Sequence, residues 1–313
     1  MPYSNIISRT DAQALIPEDV VNTIIQNMVK QSAALTLFRR ATMAHNQQRM
    51  PVLSALPLAY FVNGDTGLKQ TTEVAWGNKY LNVEEIAVFV PIPENVLDDA
   101  SFDMWGEIRP RIEEAIGRTL DAAVFFGVNK PASWPTDIAA SAVAAGNVVA
   151  RGTNAQAAGG IATDISQLMG AIESDGFDVN GFVTTRSYRR FFRDARDSQG
   201  QRLLDVALNT IEGERVIYTM NGLWPTGLSA AELFAGDWSQ FVLAVRKDIT
   251  YKIFDQAVLQ DNTGAVMFNL AQQDMVALRA TFRVAWQVAN PMTHEQQTEA
   301  NRYPVGVLRS PAA

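Results

Sequence analysis

With two histidines and no cysteine in 313 residues, the chain offers few side chains for metal or nucleophilic chemistry. His294 opens the stretch HEQQT, which begins like a zinc-protease helix, where a second histidine ligand stands four residues on. That position is Thr298, and His45 lies far away in sequence, so His294 reads as a polar residue of a terminal segment. The stretch DGFDVNG from Asp175 begins like a calcium loop. With Asp178, Asn180 and Gly181 in the third, fifth and sixth places, the first ligand becomes Gly176 and the twelfth Ser187, which cannot replace a bidentate glutamate. A turn between a helix and a strand is expected there.

Asp98 and Asp99, within FVPIPENVLDDASFDMWGEI, are adjacent acids with no matching partner. A catalytic pair of carboxylates needs two acids on separate elements facing a cleft, in environments that push their pKa values apart. Adjacent acids just before a helix instead favour its positive end, where Asp99 or Ser101 would cap free backbone amides. The run TTRSYRRFFRDARDSQGQR is the strongest local charge signal. Arg186, Arg189, Arg190 and Arg193 fall on one helical face, while Tyr188, Phe191, Phe192 and Ala195 form another. Such a helix packs its rings inward and offers guanidinium groups to carboxylates or phosphates; Asp194 and Asp197 partly neutralise it, which favours packing and ion pairs between subunits over nucleic-acid contact. No phosphate-binding glycine loop and no Gly-x-Ser-x-Gly elbow occurs. The residues therefore give no catalytic, cofactor-binding or metal site, and the chain reads as a non-enzyme.

The elements around these residues follow from periodicity. A helix is expected from about Pro17 to Arg40, with Val20, Val21, Ile24, Ile25, Met28 and Val29 at three- and four-residue steps. From Met50 to Lys79, short apolar bursts separated by Asn-Gly-Asp and Gly-Asn signals predict a long extended hairpin. Leu81 to Ile92 reads as one strand passing from an edge into a core. Trp105, Ile108, Ile112, Ile116, Leu120 and Val124 mark a long helix to about Phe126, with Pro110 expected to kink or restart it. The Ala- and Gly-rich residues 139–160 read as a loosely ordered connector. A helix near Asp164 to Ser174, a strand GFVTT, a helix from about Ser187, and strands FVLAV, ITYKIF and DMVALRATFRVAWQVAN complete a mixed pattern without internal repeats.

Composition sets wider bounds. The chain is 47% hydrophobic, enough for a substantial core, and its net charge of −7 opposes nucleic-acid binding across the whole surface. No apolar window approaches the roughly 18 residues of a membrane span, and the N-terminus lacks a secretory pattern. Without disulfides or thiolate metal sites, packing or assembly must hold the shape.

In order along the chain, VKQSAALTLFRR, MPVLSALPLAYFVNG, VFVPIPENVLDDAS, RIEEAIGRTLDAAVFFG, LFAGDWSQFVLAVRKDITYKIF and QQDMVALRATFRVAWQVANP resemble the major capsid protein of tailed double-stranded DNA phages, the Hong Kong 97 fold. The resemblance covers most of the chain. It implies an α+β capsid fold with residues 1–50 as an N-terminal arm and 51–82 as an extended loop reaching over a neighbouring subunit. Residues 83–160 would be a peripheral domain with a long spine helix, 161–236 an axial domain, and 237–281 the peripheral return strands. Residues 282–313 would return to the axial domain as far as Pro291 and end in an added tail.

The resemblance further implies self-assembly as pentamers and hexamers of an icosahedral shell around packaged double-stranded DNA, held without sequence-specific binding. Scaffolding, portal and decoration proteins are implied partners, with the virion as location, the host cytoplasm as assembly site, and no membrane or cofactor. Some members join subunits by a Lys–Asn isopeptide bond; Lys69 and Lys79 lie in the loop, but no acid and asparagine match the partner positions, so no crosslink is implied. A chain starting almost at its arm is expected to lack a fused scaffolding segment. Two other readings stay open at this point: an encapsulin-like shell holding cargo protein, and an α+β enzyme with an unrecognised site.

Overall fold

The computed structural model describes residues 32–62, 68–69, 71–99, 103–155, 158–196, 201, 209–219, 222–227, 229–261 and 263–311. Helix α1 (Ala33–Leu37) leads into strands β1 (Arg39–Thr42), β2 (Gln47–Ala55), β3 (Ala75–Asn82) and β4 (Glu84–Pro93), then helices α2 (Glu94–Asp99), α3 (Met104–Phe126) and α4 (Ile138–Ala145). Strand β5 (Val148–Ala150), helix α5 (Ile161–Ser174), strand β6 (Gly181–Thr185) and helix α6 (Arg189–Asp194) follow. The rest is strand-rich: β7 (Thr210–Ile211), β8 (Glu214–Thr219), β9 (Ala231–Gly236), β10 (Phe241–Phe254), β11 (Val258–Gln260), β12 (Val266–Asn269), β13 (Met275–Val288) and β14 (Val305–Arg309).

These strands form a four-stranded sheet, ordered β1-β10-β13-β4, and a six-stranded sheet, ordered β5-β14-β9-β6-β8-β7. Two separate hairpins, β2–β3 and β11–β12, complete the strand pairing. One core joins the two sheets. The inward residues of β13, among them Leu278, Phe282, Val284 and Trp286, meet Ile112, Ile116, Leu120 and Val124 of α3 and Val305 and Val307 of β14. Phe38, Trp238 and Phe241 stack within it, with the Phe38 and Phe241 ring centroids 4.9 Å apart. Fully burying one such side chain stabilises by about 1.5–3 kcal/mol, so this shared core holds the two sheets as one body.

Helix α3 follows the expected apolar stripe and runs unbroken through Pro110. That proline stands in the second turn, where the carbonyl losing its partner belongs to the exposed Gly106, within reach of water. At the other end Gly127 turns left-handed at φ 68°, and Val128 N–H donates to the Ala122 carbonyl at 3.1 Å, closing the helix.

Several expectations need correction. Residues 139–160 are no loose connector, because they contain most of α4 and all of β5. The Asp137 carboxylate accepts from Ala140 N–H at 3.0 Å, Gly146 ends α4 at φ 90°, and small alanines let the helix lie on β14. Asp98 and Asp99 sit in the last turn of α2, and the residue at the N-cap of α3 is Asp103. Ser101 lies outside the described residues. The helix expected from Pro17 lies outside them through Gln31, and its remainder ends at Leu37, where β1 takes over. The strand expected from Leu81 to Ile92 is divided at Val83 between β3 and β4.

The end of the chain departs furthest from expectation. Residues 282–288 belong to β13 in the four-stranded sheet, and the return to the six-stranded sheet is made by β14. The expected added tail is thus an interior strand, flanked by β5 and β9, with Val305, Val307 and Leu308 fully buried.

Candidate assembly surfaces

The β2–β3 hairpin leaves the body as an isolated two-stranded ribbon, paired from Gln47–Asn82 to Ala55–Ala75. Its base is tied down. Met292 N–H donates to the Leu53 carbonyl at 3.0 Å, Gln287 Nε2 to the Tyr80 carbonyl at 3.0 Å, and Lys79 Nζ lies 2.9 Å from Glu299. Among the described residues its far end is left exposed. The Leu58 amide donates to Thr72 Oγ1 at 2.8 Å across the ribbon, while Phe61 is fully exposed and Leu68 is 91% exposed. Leu58, Trp76 and Tyr80 along the ribbon are exposed as well. A two-stranded ribbon is marginally stable alone, and rings held in water have no folding role, so this surface is shaped for a partner.

A second anchor holds the start of the described chain. Asp121 of α3 is buried, and its carboxylate accepts from Ser32 Oγ at 2.6 Å, Ala33 N–H at 2.9 Å and Ala34 N–H at 3.0 Å. Ser32 in turn caps α1 by accepting from Leu35 N–H. Ser32 and the start of α1 are therefore fixed on the long helix. Sequence reasoning passed over Asp121, although one acid inside the apolar run TLDAAVFF was a signal that could have found it.

The sequence AGDW marks the crossing between the sheets. The Asp237 carboxylate gathers Asn180 Nδ2, Ser239 N–H and Oγ, and Gln240 Nε2, and Trp238 Nε1 donates to the Gly181 carbonyl at 2.9 Å. A side chain at Gly236 would meet the Pro304 carbonyl at 2.6 Å, which accounts for the glycine.

The arginine helix presents the two faces its spacing predicts. Tyr188, Phe192 and Ala195 are buried, while Arg186, Arg190 and Arg193 are exposed and Arg189 stacks over Tyr218. Phe191 is capped by the Arg151 guanidinium at 4.3 Å, and Arg151 pairs with Glu232 through two bonds of 2.7 and 3.2 Å. The Glu232 hydrogen bond holds the Arg151 guanidinium above its ordinary pKa despite partial burial, and burial raises the Tyr188 phenol beside it. This is structural pairing within one subunit.

The remaining chemical candidates are dispersed. His45 and His294 are both exposed, and no group of His, Asp and Glu among the described residues is arranged to hold a metal. Asp175 lies at the expected turn between α5 and β6. Its carboxylate is buried and accepts from Asn147 Nδ2 at 2.8 Å and Tyr303 N–H at 3.0 Å, a structural tie to the final strand. Among the described residues no helix is long and apolar enough to cross a membrane.

The chain matches the phage capsid family model over residues 12–293. The major capsid protein of Staphylococcus phage 80alpha is 24% identical over 302 residues, spanning 95% of this chain and 89% of that protein. A solved structure from Microbacterium phage Oxtober96 is 40% identical with a TM-score of 0.85, covering 98% of this chain and all of its own. One from Mycobacterium phage Bobi is 31% identical, also with a TM-score of 0.85, over 99% of this chain and 100% of its own.

Proposed function

The chain belongs to the phage capsid family and is a structural protein of the phage shell, and on that premise we propose that its copies form the pentamers and hexamers of an icosahedral shell around packaged double-stranded DNA. The observation that carries this is the ribbon β2–β3, anchored at its base and apolar at its uncovered end. A neighbouring copy supplies the cover the subunit lacks, and closed symmetry repeats the contact.

In this reading the chain ahead of β1 forms the arm, shorter than the expected 1–50 because β1 pairs in the four-stranded sheet and β2 begins at Gln47, and the ribbon is the extended loop. The four-stranded sheet with α3 is the peripheral domain, and the six-stranded sheet with α4, α5 and α6 is the axial domain, completed by β5 and β14. Its role is structural rather than catalytic. The genome is held without sequence-specific contacts, its charge balanced largely by small counterions. Scaffolding, portal and decoration proteins complete the particle, which is assembled in the host cytoplasm. Electron microscopy of the expressed chain tests the reading: shells, capsomers or tubes are expected, and a persistently monomeric protein refutes it.

A further inference from the structure

On the four-stranded sheet, Lys247 lies directly across from Arg283, and Lys252 directly across from Arg279. Both pairs are on the face opposite α3, because Leu278, Ala280, Phe282 and Val284 of β13 point into the main core. Further along this face Ala244 and Ala285 are covered by Met43 and Leu81. Beyond Arg283 the cover ends, and Lys247 and Lys252 are exposed.

Like charges directly opposed on neighbouring strands are destabilising. Only Arg283 has a nearby acid, Glu85 at 3.7 Å; Lys247, Lys252 and Arg279 form no ion pair among the described residues. Lys252 and Arg279 lie instead over the Phe254 ring, at 4.8 and 4.9 Å, with the exposed Phe89 beside it. The result is a cationic, partly aromatic face that the folding of one subunit does not explain.

The same chain carries a surface of opposite sign. Glu94, Asp98, Asp99 and Asp103 are all exposed from α2 to the N-cap of α3, and no lysine or arginine occurs between Lys79 and Arg109. Asp98 and Asp99 stand at the negative end of α2, where two more negative charges oppose the helix. No ion pair joins this corner to the basic face within the subunit among the described residues.

We propose that the basic face around Lys252 and Arg279 docks on the acidic corner around Asp98 and Asp99 of a second copy. Each surface is locally unfavourable alone, and each is complementary to the other. Because it joins unlike surfaces, the contact repeats from copy to copy around a ring when the copies are related by rotation. It rests on the shell reading and adds a contact separate from the apolar ribbon. Because its charges sit at the surface, it weakens as salt rises.

The test uses the full-length chain in three forms: Lys252→Glu with Arg279→Glu, Asp98→Lys with Asp99→Lys, and all four changes together. Lysines at the end of α2 favour that helix, so the second form keeps its local fold. Circular dichroism confirms folding of each, and sedimentation with electron microscopy counts the shells. Loss of shells in both double variants, with recovery when the changes are combined, is the expected result. Normal assembly of either double variant, or no recovery on combination, overturns the proposal. Shells of normal number that lose only their DNA in the first variant also overturn it and assign the face to nucleic acid. A wild-type chain that never assembles instead refutes the shell reading itself.

Discussion

Ser32 Oγ donates to Asp121 Oδ1 at 2.6 Å across 89 positions of sequence, and both groups are buried. The same carboxylate receives the first two amides of α1, so one acid on the long helix fixes the start of that short helix. Replacing Asp121 by alanine strands a hydroxyl and two amides in the interior. A loss of about 2–4 kcal/mol is expected, with Asp121→Asn intermediate because one acceptor oxygen remains. Denaturant unfolding measures the loss, and faster hydrogen exchange at Ala33 and Ala34 locates it.

The ribbon predicts the opposite separation of folding from assembly. Phe61→Ser and Leu68→Ser change side chains that are almost wholly exposed in the subunit. Subunit stability should move by no more than about 0.5 kcal/mol, while shells fail to form or dissociate readily. Thermal melting of the unassembled chain beside electron microscopy checks both halves.

The final strand should behave as core. Leu308 is fully buried between α5 and the six-stranded sheet, so Leu308→Ala is expected to cost about 2–5 kcal/mol. Removing the chain from Pro304 onward should abolish folding of that sheet, visible as loss of soluble, cooperatively melting protein. A dispensable tail would leave melting unchanged.

The β11–β12 turn carries a local acid sensitivity. Asp261 is held below the usual carboxylate range first by the Thr263 hydroxyl, then by the Ala265 and Thr263 amides. A depressed carboxylate contributes order that is complete above its ordinary pKa and lost as pH falls through the lower folded value. Below about pH 4 the turn should loosen, seen as faster exchange at Thr263 and Ala265, whereas Asp261→Asn should remove the acid dependence. The Tyr251 phenol gives the alkaline counterpart. Burial, helped by the Glu113 carboxylate that accepts its hydrogen bond, pushes it up to about 12. The link from β10 to α3 should therefore persist below pH 10 and fail only as pH rises through that value, followed by tyrosine absorbance.

Local pattern was enough for elements whose partners are nearby or generic. The stripe from Ile112 to Val124, the pairing of two strands between Met50 and Lys79, and the ring-bearing face of the arginine helix each read correctly, because periodicity reports which side of an element is buried; the Asn63-Gly64-Asp65 turn signal lies outside the described residues, and Gly77-Asn78, read as a turn signal, lies inside β3. The ordered motifs also named the family, because packing signatures such as AGDW record a close approach, Gly236 against Pro304, that no other residue fits.

Tertiary structure decided what depends on distant partners. Residues 305–309 read as an appended tail, since five apolar residues near a terminus carry no sign of the strands that will flank them; their place between β5 and β9 is set by pairing across the whole chain. Asp98 and Asp99 read as a helix start because the short helix that ends on them was invisible to periodicity, and Asp121 was passed over because its partner, Ser32, lies 89 positions away in sequence. The sequence by itself determined the long apolar stripes, the absence of recognisable catalytic motifs and the family; the fold decided which charges are paired inside the subunit, because only three-dimensional proximity pairs them.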